Sequence, residues 1–205
     1  MSKLNLFLII LLAGMLTFVK IEDASASDSN TSENVTTAIF PTPTPSPTPT
    51  PTPIPVGIPV TIQIPKLEVN ASVEAVGTDF QGKMTMPEDW GKTAWYSGES
   101  GFRPSEKGNA VIAGHLDTIY GTRGQFYNLA LLEIGDEVIV YDSLNLEHRF
   151  VVTDKQTYEY DKAPLDLIFG PSDESHLNLI TCTGWYNPTL HNYDHRLVVY
   201  TKLVK

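Results

Sequence analysis

Proline stands at every second position of the run PTPTPSPTPTPTPIP, residues 41–55. Each proline lacks an amide hydrogen and fixes φ near −65°, so neither a helix nor a sheet can pass through the stretch. Such a tract favours polyproline II at about 3.1 Å per residue, which gives it a reach on the order of 45 Å. It therefore reads as a semi-rigid spacer, and the parts of the chain on its two sides must fold separately. A ligand for proline-binding modules is the other use of such a tract, and its Thr and Ser positions are candidate sugar acceptors.

Before the tract, residues 4–19 (LNLFLIILLAGMLTFV) are almost wholly apolar, with Lys3 ahead of them and Lys20, Glu22 and Asp23 behind. A bilayer span needs about 20 residues. Extending this run to Ile21, with Lys20 snorkelling, supplies them. A positive start and an acidic exit place the rest of the chain across the membrane. Residues 1–21 are thus expected to be an N-terminal membrane segment. ASA at 24–26 also fits a signal-peptide cleavage site, and under either reading the remainder of the chain is exported. Residues 22–40 are polar with little to bury, so residues 22–55 as a whole read as a disordered and Pro/Thr-rich linker.

From Val56 to Lys205 the composition is that of one globular domain with a real core. Its pattern is short strands: VTIQI (60–64), ASVEAV (71–76), NAVIAG (109–114), DEVIVYD (136–142), HRFVVTDK (148–155), LNLIT (177–181) and RLVVYTKLV (196–204). Helical signals are short, in QFYNLALLEIG (125–135) and APLDLIFG (163–170). Seven or eight strands with so little helix predict an all-β closed barrel or a sandwich.

Residues 56–205 hold 12 lysines and arginines against 20 aspartates and glutamates, with no basic cluster, which argues against nucleic acid as a partner. Cys182 is the only cysteine. It cannot form an internal disulfide, so it is either a small buried hydrophobe or a nucleophile. Exported chains commonly use cysteines in pairs, which favours function. The residue follows the strand LNLIT and precedes TGWYNP, which is rich in turn formers. A nucleophilic thiolate needs an acid/base partner. His115, ending the apolar run NAVIAGH, is the candidate, whereas His148 and His176 read as surface residues. Arg196 heads an apolar strand and cannot shed its charge. It must either pair with a carboxylate such as Asp194 or face a site where it can donate to an oxyanion. His115, Asp117, His191 and His195 are a rival set of metal ligands, but NPTLHNYD reads as loop and fixes no common face for them.

Taken in order, LITC (179–182), NAVIAGH (109–115) and the arginine of HRLVVYTKLV resemble the cysteine, histidine and arginine segments of the sortases, membrane-anchored cysteine transpeptidases. IPKLEVNASVEAVG (64–77) and FYNLALLEIGDEVIVY (126–141) resemble further segments, so that the likeness spans about residues 58–204. MPEDWGKTAWYSGESGFRPSEKGNAVIAGHLD (86–117) is most similar to class F, with class E next. The resemblance implies a closed eight-stranded sortase-like β-barrel with short helices over residues 56–205. In it Cys182 is the nucleophile, His115 the general acid and base, and Arg196 the stabiliser of oxyanion and substrate. It implies no cofactor. The implied partners are secreted proteins with a C-terminal sorting signal and an amine from a peptidoglycan precursor or pilin. The implied location is the cell membrane, single-pass, with the catalytic domain outside. Trp185 and Tyr186, just after the cysteine, lie where substrate pockets differ between classes. At ordinary pKa values about 3% of the thiol is thiolate at pH 7, enough for slow turnover of a tethered substrate. An L,D-transpeptidase would carry its cysteine in a Ser-His-Gly-Cys-type loop, which LITCTGW lacks. In a non-catalytic surface β-module, Cys182, His115 and Arg196 would have no reason to converge.

Overall fold

The computed structural model describes residues 55–99, 101–118 and 120–204. The apolar segment 1–21 and the linker through residue 54 lie outside the described residues. Among those described, no helix is long and apolar enough to cross a membrane.

Eight strands form the domain: β1 Pro59–Ile64, β2 Val69–Val76, β3 Thr93–Tyr96, β4 Gly108–Ala113, β5 Glu137–Asp142, β6 Glu147–Glu159, β7 Ser175–Asn187 and β8 Asn192–Leu203. One short helix, α1 (Leu165–Phe169), lies between β6 and β7, and 3-10 turns occupy Pro65–Leu67 and Leu129–Leu131. The strands close into a barrel in the order β1-β2-β3-β4-β7-β8-β6-β5. Two neighbouring pairs, β2–β3 and β4–β7, run parallel. A parallel neighbour cannot be reached by a tight turn, so the chain between β4 and β7 travels through β5, β6 and α1 before returning.

Alternation decides which side chains fill the barrel. Ile62 and Ile64 of β1, Ala110 and Ile112 of β4, Leu177 and Leu179 of β7, and Leu197 and Val199 of β8 all belong to one buried cluster. Phe126, Leu129 and Leu132, from the segment after β4, join the same cluster. The intervening residues of three strands are apolar as well: Val111 of β4, Ile180 of β7 and Val198 of β8 form a second cluster on the outer face, with Ile168 and Phe169 of α1. This is why NAVIA is a continuous apolar run: β4 is covered on both faces.

The strand pattern departs from the sequence reading in three places. Strand β3 was not legible, because TAWY has only four residues and lacks alternation. TGWYN is strand, and the turn begins only at Pro188. β7 and β8 continue beyond the barrel as a two-stranded arm, still paired at Asn187 and Asn192, and its exposed polar sequence hides the pairing. His148 is buried, in contact with an equally buried Asp142.

That contact explains how the domain is closed where the linker enters. The Asp142 carboxylate accepts bonds from His148 Nε2 at 3.0 Å and from the amides of Gly57, Leu144 and Leu146 at 2.8–2.9 Å. Burial pushes its carboxyl up, but the bonds from His148 and the amides of Leu146, Gly57 and Leu144 win and hold it at about 2. Its folded pKa lies below the ordinary value of about 3.9, so the stability it adds is present above that pH and is lost as pH falls towards 2. Asp142→Ala should cost about 3 kcal/mol and lower the melting temperature by roughly 10 °C at pH 7. In addition, the wild type should lose stability between pH 4 and pH 2 more steeply than Asp142→Asn, measured by thermal unfolding. Equal acid slopes would show that the buried carboxylate carries no such linkage.

Candidate active site

Strand register assembles the site. In β4 and β7 the partners are Val111↔Asn178 and Ala113↔Ile180. The pairing continues past the end of β4, where the Gly114 amide bonds Ile180 O at 3.0 Å. Thr181 Oγ1 adds a bond to Gly114 O at 2.8 Å. Two residues beyond Ala113↔Ile180, the same register sets His115 beside Cys182. On the other side of β7, Cys182 pairs directly with Arg196 of β8. The three residues therefore form one row across three neighbouring strands.

Side-chain parity puts them on one face. Val111, Ile180 and Val198 lie on the outer face under α1, and His115, Cys182 and Arg196 are an even number of residues from them on their own strands. The same face carries a groove of about 760 Å³, which His115, Cys182 and Arg196 line together with Met84, Tyr96, Ile168 and Phe169. The sequence-read triad thus converges outside the barrel, beneath α1.

Two glycines permit this path. A Cβ on Gly114 would sit 2.5 Å from the ring of Phe126, which is fully buried, so only glycine lets the chain pass over the barrel mouth to His115. Gly184, at φ +87°, marks the irregularity in β7–β8 pairing between Thr183 and Tyr186, where the arm leaves the barrel. Cys182 stands just before that break.

His115 packs against Trp90, ring centroids 4.2 Å apart, and its Nε2 is 3.3 Å from Pro87 O. A carbonyl only accepts, so Nε2 carries the hydrogen and Nδ1 is the nitrogen left for proton transfer. Pro87 and Trp90 come from the loop before β3. Sequence reasoning assigned these two residues no separate role, and a tryptophan in a loop rich in Pro, Asp and Gly was the available signal.

Among the described residues, no carboxylate pairs with Arg196. Asp194 binds His195 Nδ1 at 2.8 Å instead. Arg196 Nη1 donates to Tyr193 O at 3.0 Å and His195 O at 2.8 Å, and Nη2 donates to Asn192 Oδ1 at 2.7 Å. These bonds use three of its five N–H groups and leave two, on Nε and Nη2, for a ligand. The Tyr160 ring stands 6.0 Å from the guanidinium carbon.

Burial pushes the Cys182 thiol up, the Arg196 charge pulls it down, and the Asp117 carboxylate pushes it further up. The net direction is upward, so the resting enzyme holds less thiolate than ordinary values give. Asp117 itself accepts a bond from Tyr193 Oη at 2.5 Å, which ties the loop after His115 to β8. Burial first, then this bond, lifts Tyr193 to about 12, so it remains a donor. The rival metal set does not assemble: among the described residues no three His, Cys, Asp or Glu side chains come together as a metal site. His191 lies in the turn of the arm near Tyr186, and His195 is held by Asp194.

Comparison with known proteins agrees with this geometry. No curated protein sequence matches the chain. Solved structures with a similar fold include Streptococcus agalactiae sortase C1 in complex with MTSET, at 19% identity and a TM-score of 0.56, covering 72% of this chain and 69% of that one. A lid mutant of sortase A from Corynebacterium diphtheriae is also similar, at 19% identity and 0.56, covering 74% and 73%. So is a Clostridium perfringens sortase D5 transpeptidase, at 22% and 0.53, covering 73% and 79%. The family model for the sortase domain matches residues 62–204, from β1 to the end of β8 and including all three site residues. The chain belongs to the sortase family of cysteine transpeptidases.

Proposed function

We propose that this transpeptidase cuts the C-terminal sorting signal of exported proteins and passes the acyl group to an amine of a cell-wall precursor or pilin. The observation that carries the reading is the single row His115–Cys182–Arg196 at the end of an apolar groove open to an extended peptide. In this reading the Cys182 thiol gives its proton to His115 Nδ1, and the resulting thiolate attacks the scissile carbonyl carbon while the carbonyl π electrons move onto oxygen. The two uncommitted N–H groups of Arg196 are the donors available to that oxyanion. Collapse re-forms the carbonyl and expels the peptide amine, which takes its proton from His115 Nδ1. The thioester is then attacked by the acceptor amine, whose proton returns to His115 as the thiolate leaves. Resemblance of residues 86–117 favours class F, with class E next, and the sorting motif preferred in a peptide library tests that choice.

The test is a cleavage assay on a sorting-signal peptide with hydroxylamine added. A thioester reacts far faster with a good amine than with water. Product release should therefore rise, a hydroxamate should form, and Cys182→Ala should abolish both. Arg196→Lys should lose most of the activity although charge is kept, because an ammonium cannot hold the Tyr193, His195 and Asn192 oxygens and an oxyanion together. Loss of turnover with a chelator, together with survival of the alanine variant, would replace this reading with a metal hydrolase.

The thiol can be followed separately by its alkylation rate against pH. Asp117→Asn removes a negative charge near Cys182 and should move the profile to lower pH, whereas Arg196→Ala should move it higher. Profiles that overlay the wild type would mean that neither group sets the thiolate population.

We further propose that residues 1–21 remain attached as a single-pass anchor, that residues 22–55 space the domain from the membrane, and that residues 56–205 act on its outer side. The charge asymmetry around residues 4–19 motivates this. N-terminal sequencing of membrane-extracted protein should start at Met1 or Ser2, and a start at Ser27 would show cleavage after ASA instead.

A further inference from the structure

The groove beside Cys182 has a wall that cannot stand alone. α1 is five residues long, Leu165–Phe169, far too short to be stable in water without packing. Ile168 packs it against Val111 and Val198. The carbonyls at the end of a helix have no partner within it. Two of these are met by side chains of the barrel: Asn178 Nδ2 donates to Ile168 O at 2.7 Å, and Asn109 Nδ2 donates to Gly170 O at 2.8 Å. Asn178 Nδ2 also reaches Asn109 Oδ1 at 3.2 Å, which joins the two amides into one unit.

Both asparagines are buried, Asn178 completely. Asn178 lies on the outward row of β7 that continues through Ile180 to Cys182, and Asn109 lies on the outward row of β4 that continues through Val111 to His115. Neither asparagine is among the residues that line the groove, whereas Leu165, Asp166, Ile168 and Phe169 of α1 are. Among the described residues, none hydrogen-bonds Asn178 Oδ1. The reversed amide would turn that oxygen towards two acceptors, so the two bonds fix the orientation seen. An apolar residue would avoid burying this oxygen but would leave Ile168 O and Asn109 Oδ1 without their donor. What the amide adds is a fixed position for α1.

We propose that Asn109 and Asn178 are positioning residues of the transpeptidase: an amide clamp that holds α1 at a set height over β4 and β7 and so sets the width of the groove leading to Cys182. The proposal rests on the reading of that groove as the place where the sorting signal lies. Loss of the clamp lets α1 move off its seat while the His115–Cys182–Arg196 row, fixed by strand pairing, stays in place. Binding of the peptide is weakened and the chemical step is spared.

Asn109→Ala, Asn178→Ala and the double variant test this in two ways on the same protein. With a sorting-signal peptide, KM should rise about tenfold in each single variant while kcat stays within about threefold. The double variant should be no worse than the worse single one, because both residues act through one wall. In hydrogen exchange, the amides of Ile168 and Gly170, bonded to Pro164 O and Asp166 O, should exchange faster while those of β4 and β7 keep their protection. If the alanine variants fail to fold, Asn109→Asp, isosteric and at the less deeply buried of the two positions, replaces the donor to Gly170 O by a carboxylate oxygen that repels it, and is read in the same way. A lowered kcat at unchanged KM, or α1 amides as protected as in the wild type, would overturn the clamp. If the wild type itself does not turn over the peptide, the sorting-signal reading falls, and the exchange result still decides whether the amides hold α1.

Discussion

The site depends on the register between β4 and β7. These strands are parallel neighbours separated by the whole of β5, β6 and α1 in the chain, and their pairing is what brings residue 115 beside residue 182. A shift of one residue would turn every side chain of one strand to the other face. It would bury His115 or Cys182 at the barrel mouth and expose Ile112 or Leu179. The register is held from both faces, because β4 is apolar inside and outside. It is locked at the site by Thr181 Oγ1 on Gly114 O, a buried bond one residue from both His115 and Cys182. Thr181 thus fixes the spacing of the row through geometry.

The outer position of the row has electrostatic consequences. Cys182 is half-buried under α1 and the loop before it, enough for burial to raise its thiol. Arg196 opposes that rise, yet three of its five donors are spent on its own arm, two on backbone carbonyls and one on the Asn192 side chain. Those bonds fix the guanidinium plane in advance, so in the proposed reaction its two remaining donors would meet the oxyanion with little further ordering. A resting thiol that is mostly protonated would suit the outer-side location proposed for the domain, since the thiolate is the form that oxidants attack. Slow resting chemistry is tolerable where linker and membrane concentrate the substrate, as proposed for residues 1–55.

Much of this was legible in the sequence because periodicity and chemistry coincided. Alternation or an unbroken apolar run marked seven of the eight strands, and the triad could be placed because each member ends or begins an apolar run. The resemblance to sortases then supplied the closed barrel and the order of the three residues. What stayed hidden has identifiable causes. TAWY is too short for a period to show. The arm beyond Cys182 is strand through main-chain pairing and buries no alternating apolar face, since Trp185 and Tyr186 stay exposed, so TGWYNP read as turn. His148 read as surface from its polar neighbours, whereas one of them in space, Asp142, lies six residues away and buries with it. Asn109 and Asn178 carried no signal, since an amide inside an apolar run shows its purpose only when the carbonyls of α1 arrive above it.

The central claim is that strand register makes Cys182 an acyl-carrying nucleophile, and the intact mass of the enzyme during turnover tests it most directly. With the wild-type chain and a sorting-signal peptide in rapid-quench reactions, the account predicts a transient mass increase equal to the acyl fragment. Peptide mapping should place it on Cys182, and hydroxylamine should remove it. Turnover that proceeds with no adduct on Cys182, or with the adduct on another residue, would contradict it.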